Sequence, residues 1–503
     1  MNSWVSAHAI PLTALAIYLA VIVAHAWHGH RSTRGTSDYY VGGRSMGGLV
    51  IGLSFYATYF STNSFIGFAG ESYDLGFAWM AMGLVLLLCA VVSWHVVAPR
   101  LRLATEKLGT LTFAGFLGAY YQSSGVRIAA AGVILVSSIF YMTAVFKGIG
   151  GTMQAYLSVP YEVGVGLVFV IVVAYTVFGG FISVVHTDAI QGTLMLLGSL
   201  YLLINVLRAG GGWTALIERV ATTPGVAPDG RPLGDALLAS TGTMPWALLL
   251  GVAFAGGAKF LVEPRQVTRF FALRDDRALR IGMIVAPAAI GFSYLCLLPL
   301  GVLARGLLAE GSVAETDAVI PALLTDPQVT GQVAAAVILT ALLGAAMSSI
   351  DSVLLVLAGA FQRDVVEVFM GEFEDARSLR FTRIQVVLFA TVTAIVALRP
   401  PGDILSLTIF SGSLYAACFA APLFAALFRW RGSPVSALGA MLIGGVVVVS
   451  WSTLTSGVSP LSSIHPVFAS VTASFAAYAA LSRLHSGAGP GQAAATTIGA
   501  HST

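Results

Sequence analysis

Between Ser54 and Gly70 the chain reads SFYATYFSTNSFIGFAG, an apolar run without a charge but with Thr58, Ser61, Thr62, Asn63 and Ser64 crowded into its middle. Ser, Thr and Asn compete with helical backbone hydrogen bonds, and Gly67 and Gly70 weaken a helix further. A turn unwound here frees carbonyl oxygens, which are hard ligands suited to a small hard cation. Any one such hydroxyl is ordinary packing between membrane helices, but five polar residues within seven positions favour the cation reading. A second polar stretch, LTALLGAAMSSIDSVLLVLAGAFQRD at 339–364, puts Ala345, Ser348, Ser349 and Ser352 on one helical face, with the carboxylate of Asp351 beside them. In a third, AYTVFGGFISVVHTDAIQGTLMLLG at 174–198, a Gly179–Gly180 turn precedes Asp188 and Gln191. An acid inside a membrane is functional by default, and Asp188, Asp351 and adjacent hydroxyls can surround a cation with oxygen. His186, two residues before Asp188, points elsewhere and is read as a packing or hydrogen-bonding histidine.

Positioning these groups requires membrane helices. Of 503 residues, 57% are hydrophobic and 10% charged, with mean hydropathy +0.86; soluble domains carry about 25% charged residues. The apolar runs predict an all-α polytopic membrane protein of about 13 spans. They fall near 10–28, 48–70, 76–97, 127–156, 160–178, 183–207, 244–264, 281–304, 331–360, 381–398, 403–428, 433–451 and 464–482. Cys89, Cys296 and Cys418 lie in apolar runs and read as buried thiols. The first span lacks the basic flank of a signal peptide, and 485–503 reads as a disordered cytoplasmic tail.

Basic residues orient the spans. Arg31, Arg34 and Arg44, Arg100 to Arg127, Arg265 to Arg280, Arg363 to Arg383, Arg429 and Arg431, with Arg483, fall on one side; Arg208, Arg219, Arg231, Arg305 and Arg399 fall on the other. The positive-inside bias puts the N-terminus outside and the C-terminus in the cytoplasm of a bacterial-type inner or plasma membrane. Arg265 and Arg269 are read as rim or gate charges, and only Lys147 and Lys259 remain within spans. In GVAFAGGAKFLVEPRQVTRFF, 251–271, Gly256–Gly257 and Pro264 interrupt a span as Gly67 and Gly70 interrupt the second. Two interrupted helices five spans apart are the trace of an inverted repeat. The chain divides into an N-terminal segment (1–47), a first repeat (48–207), an external loop (208–243), a second repeat (244–428), two further spans (429–484), and the tail.

YYVGGRSMGG, ATYFSTNSFIGFAGESYDLG, YTVFGGFISVVHTDAIQG and AAMSSIDSVLL, in that order, resemble the sodium:solute symporter family, nearest in pattern to its pantothenate and monocarboxylate branches. The resemblance runs from about Asp38 to Leu484 and implies a five-plus-five inverted repeat of the leucine-transporter type, working by alternating access. It implies a Na+ site made by the Ala57 and Phe60 carbonyls, the Ala345 carbonyl and the Ser348 and Ser349 hydroxyls. A second cation or proton site falls on Asp188, Asp351 and Ser352, where the carboxylate at 351 departs from the hydroxyl of two-sodium members.

The solute site implied by the family lies between the broken helices, with Ser61, Asn63 and Ser64 on its wall. Lys147 lies roughly 15 Å deep and reads either as paired to Asp188 or Asp351 or as the counter-ion of an organic carboxylate; Lys259 is the second candidate. Among the hydroxyls of 404–419, Ser411 is the candidate taken, and Tyr73 and Trp79 are a candidate outer lid. The expected activity is Na+-coupled symport of a small organic solute, a monocarboxylate or pantothenate-like molecule; a sugar or amino acid is a lesser alternative. Rival readings are proton coupling on the same fold and a transporter-like sensor. A membrane enzyme is disfavoured, since neither a His-Glu-x-x-His nor a G-x-S-x-G pattern occurs. The small net charge of +3 gives no case for nucleic acid, and the histidines His25, His28 and His30 read as a polar flank.

Overall fold

The computed structural model describes residues 8–32, 35–240, 242–309, 311–455 and 464–484. Some N-terminal residues and the whole 485–503 tail lie outside the described residues, as do the side chains of His28 and His30. The described chain is helical, and its only β-type pairings are isolated bridges. The principal helices are α1 (Ala9–Ser32), α2 (Gly48–Tyr59), α3 (Thr62–Leu75), α4 (Met80–Val92), α5 (Ser124–Leu157), α6 (Tyr161–Ala209), α7 (Trp246–Val262) and α8 (Pro264–Phe271). They continue with α9 (Asp276–Arg305), α10 (Val319–Thr325), α11 (Gln332–Phe361), α12 (Asp375–Ala397), α13 (Ile404–Leu427), α14 (Pro434–Thr455) and α15 (Pro466–Leu484). Among the described residues nine helices are long and apolar enough to cross a membrane, or ten with the α7–α8 pair counted as one bent span.

Lipid cannot hydrogen-bond a backbone, so each interruption of these helices must be enclosed by protein. The first is at Phe60 (ψ 89°) and Ser61 (ψ −179°), inside the polar 54–70 stretch; the Ser61 side chain caps α3 by accepting from Asn63 N–H. The second is at Glu263 (ψ 124°), where α8 restarts with Pro264 in its first turn after a 42° bend. This corrects the expectation for Gly256 and Gly257, which stay helical and serve packing instead: a Cβ on Gly257 would meet Cys89 Sγ at 2.7 Å. The third is Gly180 (φ 61°, ψ −176°), which divides α6 with a conformation closed to ordinary side chains.

Burial ranks the helices. In their most apolar windows α11 is 89% and α13 83% buried, against 33% and 28% for α14 and α15. The polar stretch of α11 therefore lies at the centre, while the last two helices expose most of their surface in the manner of lipid-facing spans.

At the end of the bundle rich in arginine, Met46 N–H donates to the Ala272 carbonyl (2.9 Å) and Arg274 N–H to the Met46 carbonyl (3.1 Å), which ties the start of α2 to the end of α8. Arg44 adds hydrogen bonds to the carbonyls of Thr105, Thr110 and Phe271. At the other end the turn Thr316–Ala318 and α10 lie on α3 and α5, so close that a Cβ on Gly70 would stand 2.3 Å from the Thr316 carbonyl oxygen.

Candidate functional site

The last carbonyls of a helix lack intrahelical partners, and at the end of α2 the serines of α11 supply them. Ser348 Oγ donates to the Ala57 carbonyl at 3.1 Å and lies 3.2 Å from the Ala345 carbonyl; Ser349 Oγ donates to the Thr58 carbonyl at 3.4 Å. Ala57, Ala345, Ser348 and Ser349 are thus brought together as a fully buried cluster of uncharged oxygens, the donor chemistry a hard monovalent cation takes. Phe60 sits at the break itself with its ring against Tyr56 and Tyr294, and its carbonyl makes no hydrogen bond to this cluster among the described residues. The Thr58 carbonyl also accepts from Arg265 Nη1 at 2.6 Å, a neighbour that a rim position for Arg265 would not bring here.

Asp188, Asp351 and Ser352 do lie together, but around a guanidinium. Arg269 Nη2 donates to Asp188 Oδ2 at 2.9 Å and to Ser352 Oγ at 2.5 Å, while Nη1 donates to the Arg265 carbonyl at 2.6 Å. Asp188 Oδ2 further accepts from Ser54 Oγ (2.6 Å) and Thr58 Oγ1 (3.3 Å). Asp351 accepts from Tyr175 Oη at 2.7 Å and from Ser352 Oγ at 3.2 Å. Arg269 is 1% and Asp188 0% exposed. Arg269 is buried and paired with Asp188, which corrects the rim position read for this arginine. Removing one member of so buried a pair costs about 3–5 kcal/mol, because the other is left uncompensated.

Beside the two broken helices Ser61, Asn63, Ser64 and Lys259 line one small cavity with Tyr59, Phe68, Tyr141, Arg265 and Thr408. As closed here it measures about 10 Å³, room for about one water. Asn63 Nδ2 donates to Thr408 Oγ1 at 2.6 Å, while Asn63 Oδ1 and the Tyr141 hydroxyl have no hydrogen-bond partner among the described residues. Lys259 is 2% exposed, and among the described residues its ammonium has no hydrogen-bond partner either; it stands 4.5 Å from the centre of the Tyr141 ring. Larger clefts of about 390 and 460 Å³ open at the two ends of the molecule, but neither touches a broken helix at its break.

Three other expected residues lie elsewhere. Lys147 pairs with Asp317 at 2.8 Å, not with Asp188 or Asp351, because the 316–325 segment folds down onto α5 and brings an acid to it. Ser411 is buried with its hydroxyl unpartnered, yet Thr408 is the α13 hydroxyl that lines the cavity. Trp79 is buried in the Gly76–Trp79 turn and Tyr73 lies under Arg305; neither lines the cavity. Among the described residues His186 bonds its own helix, at the Ile182 carbonyl, in line with the hydrogen-bonding histidine read from the sequence. Tyr141, Glu263 and the depth of Arg265 are not among the sequence expectations. An acid and an arginine flanking a proline inside an apolar span are the available signal for the last two.

The sodium:solute symporter family model matches residues 39–444. The sodium/pantothenate symporter of Escherichia coli (strain K12) is 27% identical over 475 residues, covering 93% of this chain and 95% of that protein. The osmoregulated proline transporter of Bacillus subtilis (strain 168) is 27% identical, covering 91% of each chain. Among solved structures, a substrate-bound, outward-open Na+-coupled sialic acid symporter superposes with a TM-score of 0.79 at 17% identity, covering 94% of this chain and 97% of that one. A nucleobase-cation-symport-1 family transporter in a closed conformation superposes at 0.52 and 13% identity, covering 91% and 98%. The chain belongs to the sodium:solute symporter family: it is an integral membrane transporter that couples a small-molecule solute to Na+, and not an enzyme.

Proposed function

We propose that this protein carries a small organic carboxylate together with one Na+, by alternating access. The observation that carries the reading is Lys259, a buried ammonium that makes no ion pair among the described residues and lines the cavity between the broken helices. Stripping a charge of water costs several kcal/mol unless an opposite charge meets it, and a solute carboxylate is the partner this geometry invites. Relatives that carry pantothenate and proline both present a carboxylate, so they agree with a carboxylate-binding role for Lys259. Ser61, Asn63, Ser64 and Thr408 contribute the polar wall.

The ion is assigned to Ala57, Phe60, Ala345, Ser348 and Ser349, and a single Na+ suffices because Arg269 already neutralises Asp188. If Na+ steadies the broken end of α2 in the shape that binds solute, each ligand raises the affinity of the other by the same factor. The same reading takes thirteen spans with two five-span repeats, each starting with a broken helix; the breaks between α2 and α3 and between α7 and α8, and the bends at Gly76 and Gly180 among the described residues, support it.

The test is uptake by proteoliposomes of labelled acetate, lactate, pantothenate, proline and glucose, with an inward Na+ gradient and again with K+ in its place at constant pH. Accumulation of a carboxylate that stops in K+ is the expected result. Transport of glucose alone, or of no carboxylate, overturns it.

A further inference from the structure

Glu263 and Arg265 flank Pro264 at the second break, with side chains 1% and 2% exposed. Arg265 Nε donates to Glu263 Oε1 at 2.6 Å and Nη2 to Oε2 at 3.4 Å, so both carboxylate oxygens are held by one guanidinium. Its remaining Nη1 donates to the Thr58 carbonyl, beside the ion cluster. Its face lies 3.8 Å from the centre of the Tyr141 ring, on which Lys259 also rests. Lys259 and Glu263 are four residues apart, a spacing at which helical Lys and Glu meet. Here α7 ends between them, and Arg265 takes the carboxylate instead.

We propose that the Glu263–Arg265 pair sets the charge the transporter accepts. By holding Glu263, Arg265 leaves the cavity one unmatched positive charge, that of Lys259, and admits a monoanion. A zwitterion finds no free carboxylate for its ammonium: Asn63 Oδ1 offers a hydrogen bond but no charge, and reclaiming Glu263 would break the bond set that ties α8 to α2. Removing Arg265 frees Glu263 to neutralise Lys259, whereas removing the charge of Glu263 leaves two cations on the wall.

The inference rests on the carboxylate reading, and the experiment separates the two. Wild type, Arg265→Gln, Arg265→Lys and Glu263→Gln are reconstituted, and KM is measured at saturating Na+ for lactate and pantothenate (monoanions), proline (zwitterion) and succinate (dianion). Wild type is expected to prefer a monoanion. In Arg265→Gln the KM for that monoanion rises at least tenfold while its preference over proline collapses. Arg265→Lys restores part of that preference, and Glu263→Gln shifts preference toward succinate. Preferences are ratios within one preparation, so poor insertion cancels, and Glu263→Gln decides the matter if Arg265→Gln does not insert. Wild type that carries none of these acids overturns the carboxylate reading itself, whereas wild type that carries proline and no monoanion leaves that reading standing and overturns the role of the pair. Wild type that carries a monoanion, with both Gln variants keeping its ratios, overturns the role of the pair alone.

Discussion

A hydroxyl that donates to a helix-end carbonyl is a small interaction, yet two of them carry the proposed ion site. Ser348 and Ser349 each lose one oxygen ligand when changed to Ala, and a hydrogen-bond-sized contribution of about 1–1.5 kcal/mol corresponds to roughly a tenfold rise in half-saturating Na+. Each variant should show that rise in Na+ titrations of uptake, with the solute KM at saturating Na+ near wild type. Sodium dependence unaltered in both would remove the site. Lys259→Met keeps the length of the side chain and deletes its charge. A charge-assisted hydrogen bond contributes about 1.5–3 kcal/mol, so the KM for the carried carboxylate should rise by about 10- to 100-fold; a KM within twofold of wild type would show that the ammonium does not meet the solute.

At the scale of helices, the sequence is most legible where residue type acts on the backbone locally. The break at Phe60–Ser61 follows from hydroxyls that prefer local bonds over helical ones, and Ser61 caps the helix it starts. The second break falls at Pro264 and not at Gly256–Gly257, the other signal in that stretch: two glycines look like a weak point, but Pro264 opens a new helix as a first-turn residue and puts the bend just before itself. Arg265 and Arg269 look like rim charges because an arginine near a span end ordinarily snorkels. Glu263 stands only two residues from Arg265, a local signal, but only the fold brings Asp188 to Arg269, and no spacing along the chain reports a partner 81 residues away. Lys147 is obscure for the same reason, since its acid arrives on the segment between α9 and α11. That pair is partly exposed, at 21% and 14%, so it contributes little to stability but fixes where the segment lies over α3 and α5. In a protein with Cys89, Cys296 and Cys418 replaced, a cysteine introduced at Phe68, on the cavity wall, should react several-fold faster with a membrane-impermeant maleimide when Asp317→Asn is added. Equal rates would mean that the pair does not hold the segment down.

Taken whole, the molecule has two unlike ends, and alternating access requires that they never open together. At the arginine-rich end the starts and stops of the two broken helices are joined by backbone, through Met46, Ala272 and Arg274, with Arg44 across three further carbonyls and Arg102 paired to Asp276. At the other end the closure is a short helix and turn held by the side-chain pair Lys147–Asp317, with Arg305–Asp74 joining the ends of α9 and α3 beside it. The cavity between them is closed on both sides, so which end faces the cytoplasm decides which closure must yield for uptake. Cytoplasmic loops retain Lys and Arg because the bias acts on short loops near span ends during insertion, so the expectation is that the backbone-tied end faces the cytoplasm and the lid the outside. Two exposed positions read this out directly: Asp229 in the loop between α6 and α7, and Arg274 just after α8. In the same cysteine-free background, Asp229→Cys should be labelled by impermeant maleimide in intact cells, and Arg274→Cys only after the membrane is permeabilised. The reverse pattern would turn the molecule over. The solute would then enter past the Met46–Arg274 tie, and the lid held by Lys147 would face the cytoplasm and control release.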